Sequence, residues 1–193
     1  MKNIRLPAML SVLLLTALCA CSDQKPAKAP DAAPAATAAA PPHLIMEGNG
    51  VAGITLDMTA GEVRAKLGEP VSENRDGDKV VFMSFHKTDI FGVYFDPDSS
   101  KVRMIILAVK DKTWCTGFDV CLYRDGDLPK LVAHHGQNLY RFTDRDGSVT
   151  LRLLSKHGNQ QVMTEYTPNE VHQGVAQVAI LYWNGRIDTS SFD

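Results

Sequence analysis

The stretch Gly53-Ile54-Thr55-Leu56-Asp57-Met58-Thr59-Ala60-Gly61-Glu62-Val63-Arg64-Ala65-Lys66-Leu67-Gly68-Glu69-Pro70 spells out a short helix with its start and its stop. Thr59 is an N-cap and Glu62, three residues on, is its capping-box partner, so side chains satisfy two backbone donors that the helix leaves open. Met58 and Val63 stand at the two places of a hydrophobic staple, and Val63 and Leu67 share one face at i, i+4. Gly68 followed by Pro70 stops the helix. Three strand-like runs come next, at residues 80–86, 90–95 and 102–109. Gly77 and Asp96-Pro97-Asp98-Ser99-Ser100 supply the turn chemistry around them.

A weaker copy of this order begins at Gly117-Phe118-Asp119-Val120, in the spacing of Gly53-Ile54-Thr55-Leu56. Asp127 is its candidate N-cap, residues 128–135 its short helix and Gly136 its stop. Strand-like runs follow at 139–143, 149–154, 161–167 and 175–183. Gly68 and Gly136 lie 68 residues apart, the size of one small α/β unit. The expected fold class is α+β: two tandem units, each a short helix packed on an antiparallel β-sheet, over residues 47–112 and 113–193.

Gly53, Met58, Thr59, Glu62, Val63, Leu67, Gly68 and Pro70, with the strands behind them, resemble the SmpA/OmlA lipoproteins over about residues 50–110. Those are small outer-membrane accessory subunits of the β-barrel assembly machine. In tandem, the unit resembles the β-lactamase inhibitor protein, in which a short helical hairpin packs on an antiparallel sheet. The matching positions are a cap, a staple and a helix stop. They imply architecture more than activity. The second half departs from the pattern at Pro129 and around Cys121.

Working outward, the N-terminus reads as an address. Lys2 and Arg5 form a cationic head, and an apolar run over residues 6–20 follows, shorter than the roughly 20 residues that span a bilayer. It ends in Leu18-Cys19-Ala20-Cys21, which resembles the bacterial lipobox. That resemblance implies a signal peptide over residues 1–20 and a lipidated Cys21 as the mature N-terminus, with acyl chains holding the protein to a membrane. An ordinary signal peptide cut nearby is the alternative. Ser22, where aspartate favours inner-membrane retention, points to the periplasmic face of the outer membrane. Residues 21–46 then read as a disordered tether. From Gln24 to Pro42 the chain carries nine alanines and five prolines, too little apolar bulk for a core.

Processing changes the totals. The 193 residues have a formal charge of -2; with Lys2 and Arg5 gone, 18 of the 20 basic residues remain against 22 acidic ones, a charge of -4. No basic surplus suits nucleic acid. Of four cysteines, Cys19 leaves with the signal, Cys21 takes lipid, and Cys115 and Cys121 remain. In an oxidising compartment those two form a disulfide or stay as buried thiols. Their spacing is not that of a zinc knuckle.

Catalytic and metal patterns fail one by one. Aligning Gly147 to the EF-hand glycine puts Phe142 and Leu153 at ligand positions, so Asp144-Arg145-Asp146-Gly147 reads as a hairpin turn. His134 and His135 are adjacent, about 100° apart on a helix, and no metalloprotease motif surrounds them. Asp125 and Asp127 read as turn and cap residues. No cofactor or metal is expected, and no enzyme. What remains is a sheet surface. Residues 149–154 alternate as for one covered and one open face, while Phe82 and Phe85, Phe91 and Tyr94, and Tyr182 and Trp183 put large side chains on both. Tyr140, Arg152, Tyr166 and Trp183 are the candidate partner-binding residues, since aromatics and arginine anchor protein interfaces. The functional expectation is a protein-binding lipoprotein, an inhibitor or immunity protein against a secreted toxin or hydrolase. The alternative is an accessory subunit of the barrel-assembly machine.

Overall fold

The computed structural model describes residues 43–183. The signal, Cys21 and the tether up to Pro42 lie outside them. Twelve strands and two helices follow in order: β1 (Leu44–Met46), β2 (Gly50–Val51), β3 (Ile54–Thr55), α1 (Ala60–Leu67), β4 (Ser72–Asp76), β5 (Lys79–Ser84), β6 (Ile90–Phe95), β7 (Val102–Ala108), β8 (Cys115–Thr116), α2 (Asp127–His135), β9 (Leu139–Thr143), β10 (Val149–His157), β11 (Gln160–Asn169) and β12 (Gly174–Trp183). Among the described residues no helix is long and apolar enough to cross a membrane.

Eight strands make one antiparallel sheet in the order β4-β5-β6-β7-β12-β11-β10-β9. Two four-stranded meanders therefore meet at β7 and β12, where Val178, Ala179, Ile180 and Leu181 stand opposite Leu107, Ile106, Ile105 and Met104. A second, four-stranded mixed sheet runs β3-β2-β1-β8, with β1 and β8 parallel.

The expectation of two helix-on-sheet units is corrected by this architecture, which is mostly β with a single large sheet. The helices are too small for the role assigned to them. Eight strands span about 34 Å, whereas helices of eight and nine residues are about 12–14 Å long. Each helix buries one apolar side chain, Val63 on α1 and Leu131 on α2. The rest of the cover comes from Ile45, Val51 and Ile54 on the small sheet and from Trp114, Val120 and Leu122 on the loop around β8. Beneath them, one row of directly opposed residues crosses the large sheet: Met83, Val93, Ile105, Ile180 and Thr164, all fully buried.

Local chemistry explains the helix ends. Thr59 is the N-cap of α1 in a complete capping box, Glu62 Oε2 accepting the Thr59 N–H at 2.7 Å. Gly68 closes the helix with φ of 82°. In α2 the N-cap is Gly126, and Asp127 is the first helical residue. The Asp144–Gly147 turn joins β9 to β10, its Asp144 N–H donating to the Ser148 carbonyl at 2.8 Å.

Candidate functional site

Strand alternation divides the large sheet into a face that carries the core cluster and an opposite face, open in the sense that no described helix lies in the core against it. Phe82, Tyr94, Met104, Leu181, Met163 and Leu154 stand directly opposite one another across six consecutive strands, β5 to β10. None belongs to the core cluster, which draws on the alternate positions of the same strands, although Met163 is itself only 4% exposed and the other five are half-buried. An apolar band thus crosses the face away from the covering layer. Gly92 shapes one end of it: a Cβ there would lie 2.9 Å from Phe82 Cε2, so the missing side chain lets the Phe82 ring lie over β6, against Tyr94 at 4.7 Å between centroids.

The neighbouring row becomes polar toward β9. Ile106 and Ala179 are followed by Glu165, Arg152 and Tyr140 in register. Arg152 Nε donates to Glu165 Oε2 at 2.8 Å, and its guanidinium carbon sits 3.7 Å from the centre of the Phe142 ring. The Glu165 carboxylate and the Phe142 ring together hold the guanidinium in one place. At the other side of the band is a cleft of about 850 Å3, whose lining includes Met104, Leu181, Trp183, Arg103, Lys101 and Gln161. Arg103, exposed at a bulge in β7, also lines a smaller cleft of about 540 Å3 beside Phe82 and Tyr94.

Three of the four residues singled out from the sequence lie on this face: Tyr140 and Arg152 as direct cross-strand partners, and Trp183 on the cleft. Tyr166 does not join them. It pairs with Leu151 and Val178 on the covered face and is 1% exposed. Its hydroxyl donates to Glu47 Oε1, which also faces His135 Nε2 at 2.9 Å. Burial, then the Glu47 charge and hydrogen bond, hold the Tyr166 phenol well above its ordinary pKa, so it stays protonated. This cluster lines neither cleft; it ties the β1–β2 turn to the sheet. Tyr182 plays a similar part for Asp57, its hydroxyl donating to Oδ2 at 2.6 Å, and burial first and Asp57 second raise its pKa.

Met104, Leu154, Met163, Leu181 and Arg103 were not singled out from the sequence. For Met104 and Leu181 the available signal was the near-continuous apolar character of residues 102–109 and 175–183, which leaves large side chains on both faces of a strand. Among the described residues, the one close group of three potential metal ligands is Cys115, Asp119 and Cys121. Cys115 and Cys121 are joined in a disulfide, which takes both sulfurs out of that set.

Comparison of the chain with protein-family models, with curated proteins and with solved structures found no match.

Proposed function

We propose that this chain is a lipid-anchored protein of the outer membrane, facing the periplasm, that binds another protein across the open face of its large sheet. Its action is that of an inhibitor or immunity protein, occluding a secreted toxin or hydrolase. The apolar band from Phe82 to Leu154 carries this reading. Six cross-strand neighbours with an arginine and aromatics beside them have the composition of an interface centre, apolar inside and polar at the rim. The lipobox and the Ala/Pro tether support a station at the membrane from which an incoming protein can be intercepted.

The test is Leu181→Arg, which places a charge at the middle of the band on a side chain that is only half-buried. Tagged full chain isolated from envelopes should capture a secreted toxin or hydrolase stoichiometrically and suppress its activity. The variant should lose about a hundredfold in affinity, with unchanged circular dichroism. Undiminished binding by Leu181→Arg removes the open face from the interface. Capture of barrel-assembly subunits in place of a toxin or hydrolase would support the accessory-subunit reading instead.

A further inference from the structure

The large sheet ends in two edges of opposite character. β4, Ser72-Glu73-Asn74-Arg75-Asp76, is polar throughout and has a bulge between Asn74 and Arg75. Its Glu73 is paired with both Arg64 and Arg75. Charges and bulges are the usual means of blunting a sheet edge against further pairing. β9, Leu139-Tyr140-Arg141-Phe142-Thr143, is less protected: one charge, Arg141, stands at its centre, its register against β10 is unbroken over all five residues, and Tyr, Phe and Thr favour extended backbone.

The direction of its free hydrogen-bonding groups follows from the turn. Asp144 donates its N–H to the Ser148 carbonyl next to the hairpin end, so its hydrogen-bonding groups face β10. In an antiparallel ladder hydrogen-bonded pairs alternate with open ones. Phe142 and Tyr140 therefore turn their N–H and C=O groups to β10, while Arg141 and Thr143 turn theirs outward. Among the described residues no backbone group reaches these outward donors and acceptors. The Arg141 side chain is exposed and has no ion pair or hydrogen bond among the described residues.

We propose that β9 is a strand-addition site, where the partner protein lays an extended segment antiparallel to residues 139–143. The segment carries an acidic side chain opposite Arg141 and β-branched or aromatic side chains opposite Tyr140 and Phe142. The charge selects this occupant over a second copy of the chain. Self-pairing in the register that uses all five residues sets two Arg141 guanidinium groups directly opposite each other, which is unfavourable. The register centred on Phe142 leaves only residues 141–143 overlapping. An added strand would extend the row Glu165, Arg152, Tyr140, so the proposal rests on the open-face reading and names the partner's chemistry at its border.

The probes are the peptide acetyl-Thr-Val-Glu-Tyr-Thr-amide and its counterpart with lysine in place of glutamate, each titrated into the full chain while amide exchange is followed by NMR. The glutamate peptide should slow exchange at Arg141 and Thr143 and bind about tenfold more tightly than the lysine peptide. Thr143→Pro removes one outward N–H without touching the β9–β10 ladder and should weaken binding about tenfold. Arg141→Glu, which leaves the backbone alone, should reverse the preference between the peptides. Absence of protection at Arg141 and Thr143, or equal binding of both peptides, overturns the proposal. So does a dimer in sedimentation that Thr143→Pro abolishes, because that assigns the edge to a second copy. Leu181→Arg separates this from the open-face reading. If it spares peptide binding and partner capture alike, the face reading fails and the edge stands; if it abolishes capture while neither peptide protects β9, the edge alone fails.

Discussion

Replacing Asp127 with alanine is expected to cost about 3 kcal/mol of stability and to lower the thermal midpoint by about 10 °C. The side chain of Asp127 is 1% exposed, yet it sits among three donors. Oδ2 accepts the Cys121 N–H at 2.7 Å and Arg124 Nε at 2.5 Å, and Lys130 Nζ lies 2.9 Å from Oδ1. Burial by itself would raise the pKa of this carboxyl; the Cys121 N–H and the two cations outweigh it and hold the pKa below its ordinary value. Alanine would leave the Cys121 N–H buried without an acceptor and would take the counter-charge from Lys130, while Arg124 would keep its pairing with Asp119. The loop this carboxylate anchors also matters. Its backbone runs on from Leu122, bonded to the Trp114 carbonyl, to Tyr123, bonded to the Val175 carbonyl, and Val120 and Leu122 are part of the cover over the sheet. The pH dependence has a definite sign. A depressed carboxylate pKa contributes stability that is present above the unfolded value of about 3.9 and is lost as pH falls through the lower folded value. Acid titration of the wild type should show this limb, and Asp127→Asn should flatten it. A wild-type acid limb unchanged in Asp127→Asn would remove Asp127 as its source.

The Asp127 role was hidden from sequence reading by the very feature that made the residue noticeable. An aspartate before Leu128-Pro129 looks like a cap, and nothing local shows that Arg124, Lys130 and the Cys121 N–H converge on it. Periodicity did better where a strand has an apolar stripe. The runs at 90–95, 139–143 and 149–154 lie within strands of the structure, and Leu151 and Arg152 fall on opposite faces as their alternation implies. β4 carried no such stripe, because Ser72-Glu73-Asn74-Arg75-Asp76 is an edge strand fixed by β5 on one side and by the Glu73 ion pairs. The single large sheet was not legible either. Its existence depends on β7 pairing with β12, a contact between distant segments that no local pattern encodes. The same long-range register decides the candidate site. Glu165 and Tyr166 are neighbours, and only the pairing of Tyr166 with Leu151 and Val178 sends the tyrosine inward and the glutamate to the open face.

The second large effect is expected from Gly50→Ala, one methyl group in the small sheet. Gly50 on β2 stands between Met46 on β1 and Thr55 on β3. Its special requirement is space, not an unusual φ. A Cβ built there would lie 1.8 Å from the Ile54 carbonyl oxygen and 2.8 Å from its carbon, both backbone atoms that no side-chain rotation can move. The β2–β3 connection cannot relax to make room, since its two residues, Ala52 and Gly53, already hold φ of 53° and 76° in a tight turn of the kind hairpins of this length require. The methyl group must therefore push β3 away from β2. Ile54 and Leu56, both fully buried, ride on that segment and close the covered face of the large sheet. Their partial exposure adds to the clash, at about 1.5–3 kcal/mol for each side chain fully returned to water. A loss of more than about 3 kcal/mol follows, read as a lower urea midpoint and as faster exchange of the β1–β3 amides. Gly61→Ala is the matched control: nothing lies within 4 Å of a Cβ on that exposed helical position, and alanine is the better helix former by about 1 kcal/mol. If both variants shift the midpoint alike, the close approach of β2 to β3 is not what requires glycine at residue 50. If Gly50→Ala alone falls, the small sheet is confirmed as the part of the cover whose spacing the large sheet cannot do without.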